Sequence, residues 1–388
     1  MKILFVINNY FIIGNGISAS ARRTVKALRE AGQDVRIFSE CKPTDQPQPD
    51  YPLKEFIFPI FQPLIESQGF CYGSTDPKLL DEAVRWADVV HLEETFVMQW
   101  RAIKVAKKYG KPVTATFHMH PENILTSLGM GKWKWANRTL MKAWRKYIYN
   151  PCEMVQCPTE NVLDRLRRYH FQSELCVISN GLIPDKSIRP LTPPENYLDP
   201  ERPLEVICIS RLSKEKDQYT LFEALRFSKY AKRIRLTLAG NGPMLHEYQK
   251  IAQKLEKDGV IQYPVQFVFL DRQGLRELAA GADLAIHCAD IEVEGLSIME
   301  AMQQGAVPVI AEGSRTGTSQ FALDRHSKFP KKNPEALANR IDYWLDHPEE
   351  RWEKGKEYIE SMKQYDIAIS IEKLTQMFQK AIDKKKAQ

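Results

Sequence analysis

The sequence predicts an α/β protein of two doubly wound domains, each a parallel sheet covered by helices. Apolar runs alternate with helical stretches through the first half of the chain, which is typical of strands that pair in parallel. The alternation restarts after a proline-rich stretch, and 388 residues are more than one core usually holds. We place the N-terminal domain at 1–187, the linker at 188–203 and the C-terminal domain at 204–364. Ligands bind beyond the carboxyl ends of such strands, so we expect a site in a central cleft between the domains.

Single elements follow from the apolar runs and their stop signals. In the first half we predict strands at residues 3–7, 34–38, 89–91 and 112–117, and helices at 18–31 and 103–109. In the second half we predict strands at residues 204–210, 234–239, 265–269, 284–287 and 307–311.

Composition excludes several protein classes. A content of 43% hydrophobic and 27% charged residues is ordinary for a globular protein, so no long disordered stretch is expected. The seven cysteines form no C-x-x-C pair, which favours reduced thiols in the cytosol over a disulfide frame or a zinc site. Asn8 and Asn9 cut the opening apolar run too short for a signal peptide. No run approaches the roughly 18 apolar residues of a spanning helix, so we expect a cytoplasmic protein with peripheral membrane contact at most.

The most informative motif places two carboxylates, Glu292 and Glu300, eight positions apart across a predicted loop-to-helix junction. Gly295 lets the backbone approach a ligand closely, and the start of the helix points free N–H groups at an anion. Glu300, one turn further, can accept from a vicinal diol, so the motif suits a sugar nucleotide. The alternative is structural, with Ser297 and Glu300 as a capping box and Gly305 as the helix stop.

Cations and glycines follow several predicted strands. Arg211 and Lys216 lie on the loop that leaves the first strand of the second half, where they could clamp a diphosphate or form a solvated cluster. Glycine turns at 14–16 and 240–242 could expose amides to a ligand or be ordinary strand-to-helix turns. The first is not the G-x-G-x-x-G fingerprint, because Ala19 holds the third glycine position, so a nicotinamide cofactor is disfavoured.

Two histidines, His118 and His120, end a predicted strand. Such a pair could bind a metal, but no third ligand is in view and we expect none. We expect one histidine to face the cleft and hydrogen-bond a substrate hydroxyl, while the other is structural.

The segment 131–149 is basic and aromatic, with no acidic residue from 124 to 150. One face of its helical wheel carries Trp133, Leu140, Trp144, Tyr147 and Ile148. The other face carries Lys134, Arg138, Lys142, Arg145 and Lys146. Such a helix could lie in a membrane interface with anionic lipids, or pack its aromatics on its own domain and solvate its cations. Nucleic acid is not expected as a partner, because no nucleic-acid-binding module accompanies the patch.

Together these motifs resemble the family-4 retaining glycosyltransferases of the GT-B fold, over nearly the whole chain and in the expected order. In the first half the resemblance rests on residues 14–16, 88–91, 118 and 177–181. In the second half it rests on residues 210–216, 239–243 and the Glu292 and Glu300 pair. One departure is Glu294, which stands where the family often has an aromatic residue.

The resemblance implies a role for each site residue. Arg211 and Lys216 would hold the donor diphosphate, and Glu300 the ribose hydroxyls. Glu292 would face the transferred sugar, with His118 near its hydroxyls. The donor site would include further residues, several of which would contact the donor through their backbone amides. They are Gly16, Gly240, Asn241, Gly242, Gly295, Leu296 and Ser297. Catalysis would need no metal, which agrees with the absence of Asp-x-Asp from the sequence, and a helix within 365–388 would cross back to the first domain.

The implied reaction moves a hexose with retention, giving an α linkage, from a nucleotide sugar to a hydroxyl (EC 2.4.1 type). A UDP-sugar such as UDP-glucose is the expected donor, and no cofactor is expected. The basic aromatic segment at 131–149 motivates a lipid acceptor, and residues 118–123 and 320–324 resemble segments of bacterial lipid-glycosylating members. We therefore favour a membrane lipid or lipid-linked sugar at the inner face of the cell membrane. The alternatives are a soluble or polysaccharide acceptor and, in another class, a non-catalytic sugar-nucleotide sensor.

Overall fold

The computed structural model describes residues 1–12, 15–42, 44–45, 47–60, 62–67, 70–185, 197–199 and 201–387, which form two compact units. Unit 1 comprises Met1–Gly181 and Ile367–Gln388, and unit 2 comprises Leu182–Asp366. The division falls ahead of the proline-rich stretch at 188–203, most of which lies outside the described residues.

Unit 1 contains a seven-stranded parallel sheet. Its strands are β1 (Lys2–Val6), β2 (Asp34–Glu40), β3 (Tyr51–Leu53), β4 (Val89–Leu92), β5 (Val113–Thr116), β6 (Met154–Cys157) and β7 (Glu174–Val177). Its helices before unit 2 are α1 (Gly16–Glu30), α2 (Gln62–Ser67), α3 (Pro77–Trp86), α4 (Val97–Lys108), α5 (Pro121–Ser127), α6 (Lys134–Trp144) and α7 (Glu160–Arg168). The order β3-β2-β1-β4-β5-β6-β7 runs outward from β1 in both directions, so the sheet is doubly wound.

Unit 2 repeats this plan with six parallel strands in the order β10-β9-β8-β11-β12-β13. The strands are β8 (Leu204–Ile209), β9 (Ile234–Ala239), β10 (Gln266–Val268), β11 (Leu284–His287), β12 (Val307–Glu312) and β13 (Lys328–Pro330). The helices are α8 (Gln218–Ala224), α9 (Leu245–Lys257), α10 (Arg272–Ala280), α11 (Leu296–Gln303), α12 (Pro334–Asp346) and α13 (Pro348–Met362). The predicted class, two doubly wound parallel sheets, is confirmed. That the two sheets face a common cleft stays a prediction.

The central strands are apolar at consecutive positions, as burial on both faces requires. Ile3, Leu4, Phe5 and Val6 of β1 are all fully buried, because helices cover the sheet of unit 1 on each side. A strand with one solvated face would alternate apolar and polar residues instead. The same argument explains the apolar runs of β8 and β11 in unit 2.

The last helix, α14 (Ile367–Lys386), belongs to unit 1 although unit 2 precedes it in the chain. It packs on α1 and on the strands β4, β5 and β6. Phe378 is fully buried there, with its ring centroid 5.1 Å from that of His91. The chain end therefore completes the core of the first sheet.

The segment 131–149 differs from the predicted single amphipathic helix. Trp133 is the N-cap of α6, and the chain turns π-helical over Arg145–Tyr149. A π-helix closes its hydrogen bonds over five residues rather than four, so side chains beyond residue 144 rotate out of the α-helical register.

This rotation separates Tyr147 from Trp144, while Trp133 lies outside the helix as its N-cap. Trp144 and Ile148 are buried, with 5% and 3% of their surface exposed. Trp133 and Tyr147 are about half exposed, at 49% and 50%. The prediction that they share one face is therefore wrong, and Trp144 is a core residue of unit 1. None of the described helices combines the length and the hydrophobicity needed to cross a bilayer.

Candidate functional site

In unit 2 the predicted carboxylate Glu292 forms an ion pair with the predicted cation Lys216. Glu292 follows β11, and Lys216 ends a short 3-10 turn (Lys214–Lys216) that follows β8. Because β8 and β11 are neighbours in the sheet, the pair joins two loops at the same sheet edge. Nε2 of His287, the last residue of β11, lies 3.4 Å from Oε2 of Glu292.

The Glu292 carboxylate is ionised at neutral pH. Its side chain is only 15% exposed, and burial alone would favour the neutral acid. The charge of Lys216 and the imidazole of His287 outweigh burial and hold the pKa of Glu292 far below its usual range. The site therefore presents a fixed negative charge beside a lysine.

The helix that follows Glu292 begins with a strained backbone position. Gly295 is the N-cap of α11 and has a φ of +82°. A Cβ at this position would lie 2.1 Å from Cγ2 of Thr318, so glycine is required by conformation and by space. Ser297 and Glu300 lie inside α11, and its N-cap is Gly295 rather than Ser297, so the capping-box alternative is wrong. The amides of Leu296 and Ser297, the first two residues of α11, have no partner within the helix.

Glu300 borders a pocket between α10 and α11. The pocket is lined by Ile209, Arg272, Leu275, Arg276, Ala279, Ser297, Glu300, Ala301 and Gln303. Arg272 and Arg276 were missed by sequence reasoning, since an i, i+4 arginine pair is common on solvated helices. The pocket thus combines a carboxylate able to accept from hydroxyls with cations able to bind phosphate.

Arg211 follows β8 on a loop that two glycines support. Arg211 is partly buried, and burial lowers the pKa of its guanidinium. A Cβ on Gly240 would lie 2.1 Å from the carbonyl oxygen of Ser210, and one on Gly242 would lie 2.3 Å from that of Leu212. These glycines are therefore needed for backbone packing, and their contact with a donor stays a prediction.

Asn241 joins the same two loops. Its carbonyl oxygen accepts from the amide of Leu212 at 3.0 Å, and its side-chain oxygen accepts from the amide of Gly242 at 2.7 Å. The glycine turn thereby holds the loop of Arg211 in place.

Asp290 fixes the loop that carries Glu292, and sequence reasoning missed it. Asp290 is buried and accepts from Arg315 at 2.9 and 3.1 Å and from Lys332 at 2.5 Å, with Lys331 as a third cation. These cations outweigh burial and hold the pKa of Asp290 far below its usual range. The amide of Glu292 also donates to the carbonyl oxygen of Arg315 at 2.9 Å.

Glu294, the departure from the family pattern, is buried in unit 2 with 2% of its surface exposed. Its charge contributes, after burial, to the raised pKa of Tyr365 in the same unit. The third carboxylate of the motif is thus part of the interior rather than of the solvated surface.

In unit 1 the predicted His118 is paired with a carboxylate that sequence reasoning missed. Nε2 of His118, which follows β5, lies 2.5 Å from Oε2 of Glu93, which follows the neighbouring β4. Both side chains are buried, at 6% and 3% exposure. His120 is fully buried with its ring 5.4 Å from that of Phe117, which makes it the structural member of the pair. Among the described residues no group of three or more histidine, cysteine or acidic side chains is arranged to hold a metal.

The N-terminal glycine turn is only partly described. Gly14 lies outside the described residues, and Gly16 is the first residue of α1. The Asn15 side chain caps this helix by accepting from the amides of Ile17 and Ser18 at 2.9 and 3.3 Å.

The basic segment of unit 1 presents an exposed aromatic and cationic surface. Trp133 and Trp135 stack with ring centroids 5.9 Å apart, and Trp135 is 65% exposed. The predicted cations Lys134 and Arg138 are exposed on α6. An open pocket beside them is lined by Lys107, Lys142, Arg145, Lys146, Asn150, Pro151 and Gln172. Lys107 comes from α4, so the cationic surface extends beyond the segment that sequence reasoning identified.

Two family models match this chain. The model described as Glycosyltransferase Family 4 matches residues 14–186, and the one described as Glycosyl transferases group 1 matches residues 194–363. Between them they span most of the sequence.

Similar proteins cover most of the chain as well. Alpha-monoglucosyldiacylglycerol synthase of Streptococcus pneumoniae is 27% identical over 81% of this chain and 71% of its own length. Sulfoquinovosyl transferase SQD2 of Arabidopsis thaliana is 21% identical over 96% of this chain and 72% of its own. Among solved structures, Anabaena HepE in complex with UDP-glucose matches with a TM-score of 0.70 at 15% identity, covering 98% of this chain and all of that one. The similarity to HepE shows that this chain has the same fold as that protein.

Proposed function

This chain belongs to the glycosyltransferases of the GT-B fold, and we propose that it transfers a hexose from a UDP-sugar to a hydroxyl of a membrane lipid or lipid-linked sugar. The transfer proceeds with retention, forms an α linkage and needs no metal. The observation that carries the proposal is the Lys216 and Glu292 ion pair at the carboxyl ends of β8 and β11, on the loop that leads into α11.

Arg211 and Lys216 supply the charge that the leaving group needs. When the sugar departs, negative charge develops on the nucleoside diphosphate, and fixed cations at a partly buried site stabilise it. By analogy with measured oxyanion donors, deleting one such group costs about 2.7–4 kcal/mol of transition-state stabilisation. In this account Lys216 exchanges its carboxylate partner for a diphosphate oxygen when the donor binds.

Glu292 acts through its charge rather than as an acid. Its pKa lies far below its usual range, so it holds no proton to give at neutral pH. A fixed carboxylate stabilises the positive charge that develops on the sugar ring of an oxocarbenium-like transition state. Glu300 lines the pocket with Arg272 and Arg276 and accepts hydrogen bonds from the ribose hydroxyls of the donor.

The lipid acceptor is supported by the relatives and by the surface of unit 1. One relative is by name a synthase of an alpha-glucosylated diacylglycerol. The exposed Trp133, Trp135 and Tyr147 lie on the same segment as Lys142 and Lys146. Aromatic rings and cations in this combination favour the interface of an anionic bilayer. We therefore place the protein at the inner face of the membrane as a peripheral enzyme.

Transfer of radiolabelled glucose tests the reaction. We expect UDP-glucose to label diacylglycerol or a glycolipid presented in phosphatidylglycerol vesicles, in the presence of EDTA, and α-glucosidase to release the label. Labelling of a soluble sugar in preference to either lipid would support the alternative acceptor instead. Loss of labelling in EDTA that a divalent cation restores would contradict metal independence.

Vesicle sedimentation tests the membrane surface. We expect Trp133→Ser with Trp135→Ser to weaken binding to anionic vesicles at least about tenfold, a loss of ~1.4 kcal/mol, because two interfacial anchors are removed. Phe227→Ser with Phe269→Ser is the matched control, since these rings are equally exposed, at 54% and 64%, but belong to unit 2. Equal weakening by both pairs would contradict a specific membrane surface on unit 1.

A further inference from the structure

A chain of hydrogen bonds crosses the sheet of unit 1 behind His118. The side-chain amide of Gln156 donates to the carbonyl oxygen of Ile178 at 3.0 Å, which leaves its oxygen as an acceptor. The hydroxyl of Thr116 donates to that oxygen at 2.8 Å. The proton of Thr116 is thereby committed, and its oxygen is free to accept.

His91 is the next residue in this series of hydrogen bonds. Its Nε2 lies 3.0 Å from Oγ1 of Thr116 and 3.0 Å from Oε1 of Glu93, and two acceptors require that Nε2 carries the proton. In the neutral imidazole, Nδ1 then accepts from the hydroxyl of Thr114 at 2.9 Å. The Nε2 proton of His91 is thus directed at Thr116 and Glu93.

Glu93 ends the chain as an acceptor on both oxygens. Its second oxygen, Oε2, lies 2.5 Å from Nε2 of His118. Burial opposes its ionisation, but the charge of His118 when it is protonated and the hydrogen bonds that both histidines donate lower the pKa of Glu93 to about 2, so the carboxylate accepts rather than donates at neutral pH. The proton between them belongs to Nε2 of His118. A neutral imidazole with its proton on Nε2 has a lone pair on Nδ1.

We propose that Glu93 is a positioning residue that fixes the Nε2–H tautomer of His118, so that His118 presents Nδ1 as a hydrogen-bond acceptor to a hydroxyl of the transferred sugar. The partner of Nδ1 rests on the proposed function, whereas the tautomer of the neutral His118 imidazole rests on the hydrogen-bond chain and on the ionised Glu93 carboxylate. A sugar hydroxyl would then donate a hydrogen bond to Nδ1 of His118, and no proton would be transferred between them.

The neighbouring carboxylate provides a matched control. Glu94 is as buried as Glu93, at 2% exposure, and accepts from the amide and side chain of Asn8, both at 2.6 Å, and from Asn9 and Gln99. Burial raises the pKa of Glu94, in contrast to that of Glu93. Glu94→Gln thus changes a buried carboxyl beside the site without touching the histidine pair.

The tautomer is tested by nitrogen NMR on protein labelled with ¹⁵N-histidine, with the His118 signals assigned by their loss in His118→Gln. We expect, near pH 8, a protonated Nε2 and an unprotonated Nδ1 in the wild type. In Glu93→Gln we expect a mixture of the two tautomers, while Glu94→Gln keeps the wild-type pattern. An unprotonated Nε2, or two protonated nitrogens, in the wild type would overturn the proposal without use of any variant of Glu93.

The positioning role is tested by UDP-glucose turnover. We expect Glu93→Gln to lower kcat about 10- to 100-fold, by analogy with the range found when the hydrogen-bond partners of metal-ligating histidines are removed, with the KM for UDP-glucose within threefold. Glu94→Gln should keep kcat within threefold. A wild-type kcat in Glu93→Gln would overturn the positioning role. If the wild type does not turn over UDP-glucose at all, the proposed function fails while the NMR result still decides the tautomer.

Discussion

Three buried carboxylates show how local partners decide the protonation state of one residue type. Glu93 and Glu292 have histidine or lysine partners, and the pKa of each lies below its usual range. Glu94 has only amide partners in its hydrogen bonds, and burial raises its pKa. The first two are suited to act as fixed charges and the third as a structural acceptor.

Glu93 should make the stability of unit 1 depend on pH in acid. Its folded pKa of about 2 lies below that of an unfolded glutamate, about 4.3, so the unfolded chain takes up the proton first as the pH falls. Its stabilising contribution is complete above about pH 5 and is lost as the pH falls towards 2. We expect the gap in free energy of unfolding between wild type and Glu93→Gln to narrow by about 1 kcal/mol from pH 6 to pH 3.5.

Urea unfolding followed by circular dichroism at the two pH values measures this gap. A gap that is constant between them would show that Glu93 is not held ionised by its histidine partners.

At the scale of elements, the start of α11 depends on one backbone conformation. Gly295 adopts φ +82° against the methyl group of Thr318, and the loop before it carries Glu292. The geometry of the N-terminal end of α11 is thus tied to the position of the Glu292 carboxylate.

Gly295→Ala should destabilise unit 2 through both conformation and overlap. We expect its melting temperature to fall by at least about 4 °C, since a left-handed alanine and a displaced methyl group together cost roughly 2 kcal/mol. Thr318→Ser removes only the overlapping methyl group, so Gly295→Ala with Thr318→Ser should recover part of the loss. No recovery in the double variant would contradict the overlap as a cause.

Elements with a strong local signal could be predicted from the sequence, and those without one could not. The prediction for β9 matches its bounds, because an apolar run lies between turn residues. The strands β6 and β7 have four residues each and include Gln156 and Glu174, so no apolar run indicates them. The π-helical turn after α6 has no sequence signal at all, and together with the start of α6 after Trp133 it accounts for the incorrect aromatic face.

The residues of the candidate site also divide into those that could be predicted from the sequence and those that could not. Glu292 and Lys216 could be predicted because each belongs to a motif next to a recognisable strand. Asp290 and Glu93 could not, since their roles arise from residues 25 or more positions away that only the folded sheet brings near.

At the scale of the whole molecule, the chain crosses between its two units twice. The C-terminal helix α14 supplies core residues to the first sheet, so unit 1 is complete only when both ends of the chain are present. Mutations in α14 should therefore act on a sheet more than 200 residues earlier in the sequence.

Phe378→Ala should destabilise unit 1 selectively. A fully buried phenylalanine costs about 3–5 kcal/mol when truncated, and we expect faster hydrogen exchange in β1 and β4 with no change in β11. Phe222→Ala, in the core of unit 2, should give the opposite pattern. If either variant made hydrogen exchange faster to the same extent in both units, selective destabilisation of one unit would be contradicted.

A thermal-shift panel of UDP, GDP, ADP and their sugar conjugates tests whether unit 2 binds a nucleotide sugar through Lys216. Lys214→Ala is the matched control, since Lys214 is exposed in the same short turn. We expect UDP-glucose at about 100 times its Kd to stabilise the wild type and Lys214→Ala by about 2.7 kcal/mol, a rise of roughly 5–10 °C, and Lys216→Ala to lose the shift. No shift with any nucleotide, or an equal shift in Lys216→Ala, would contradict binding through Lys216.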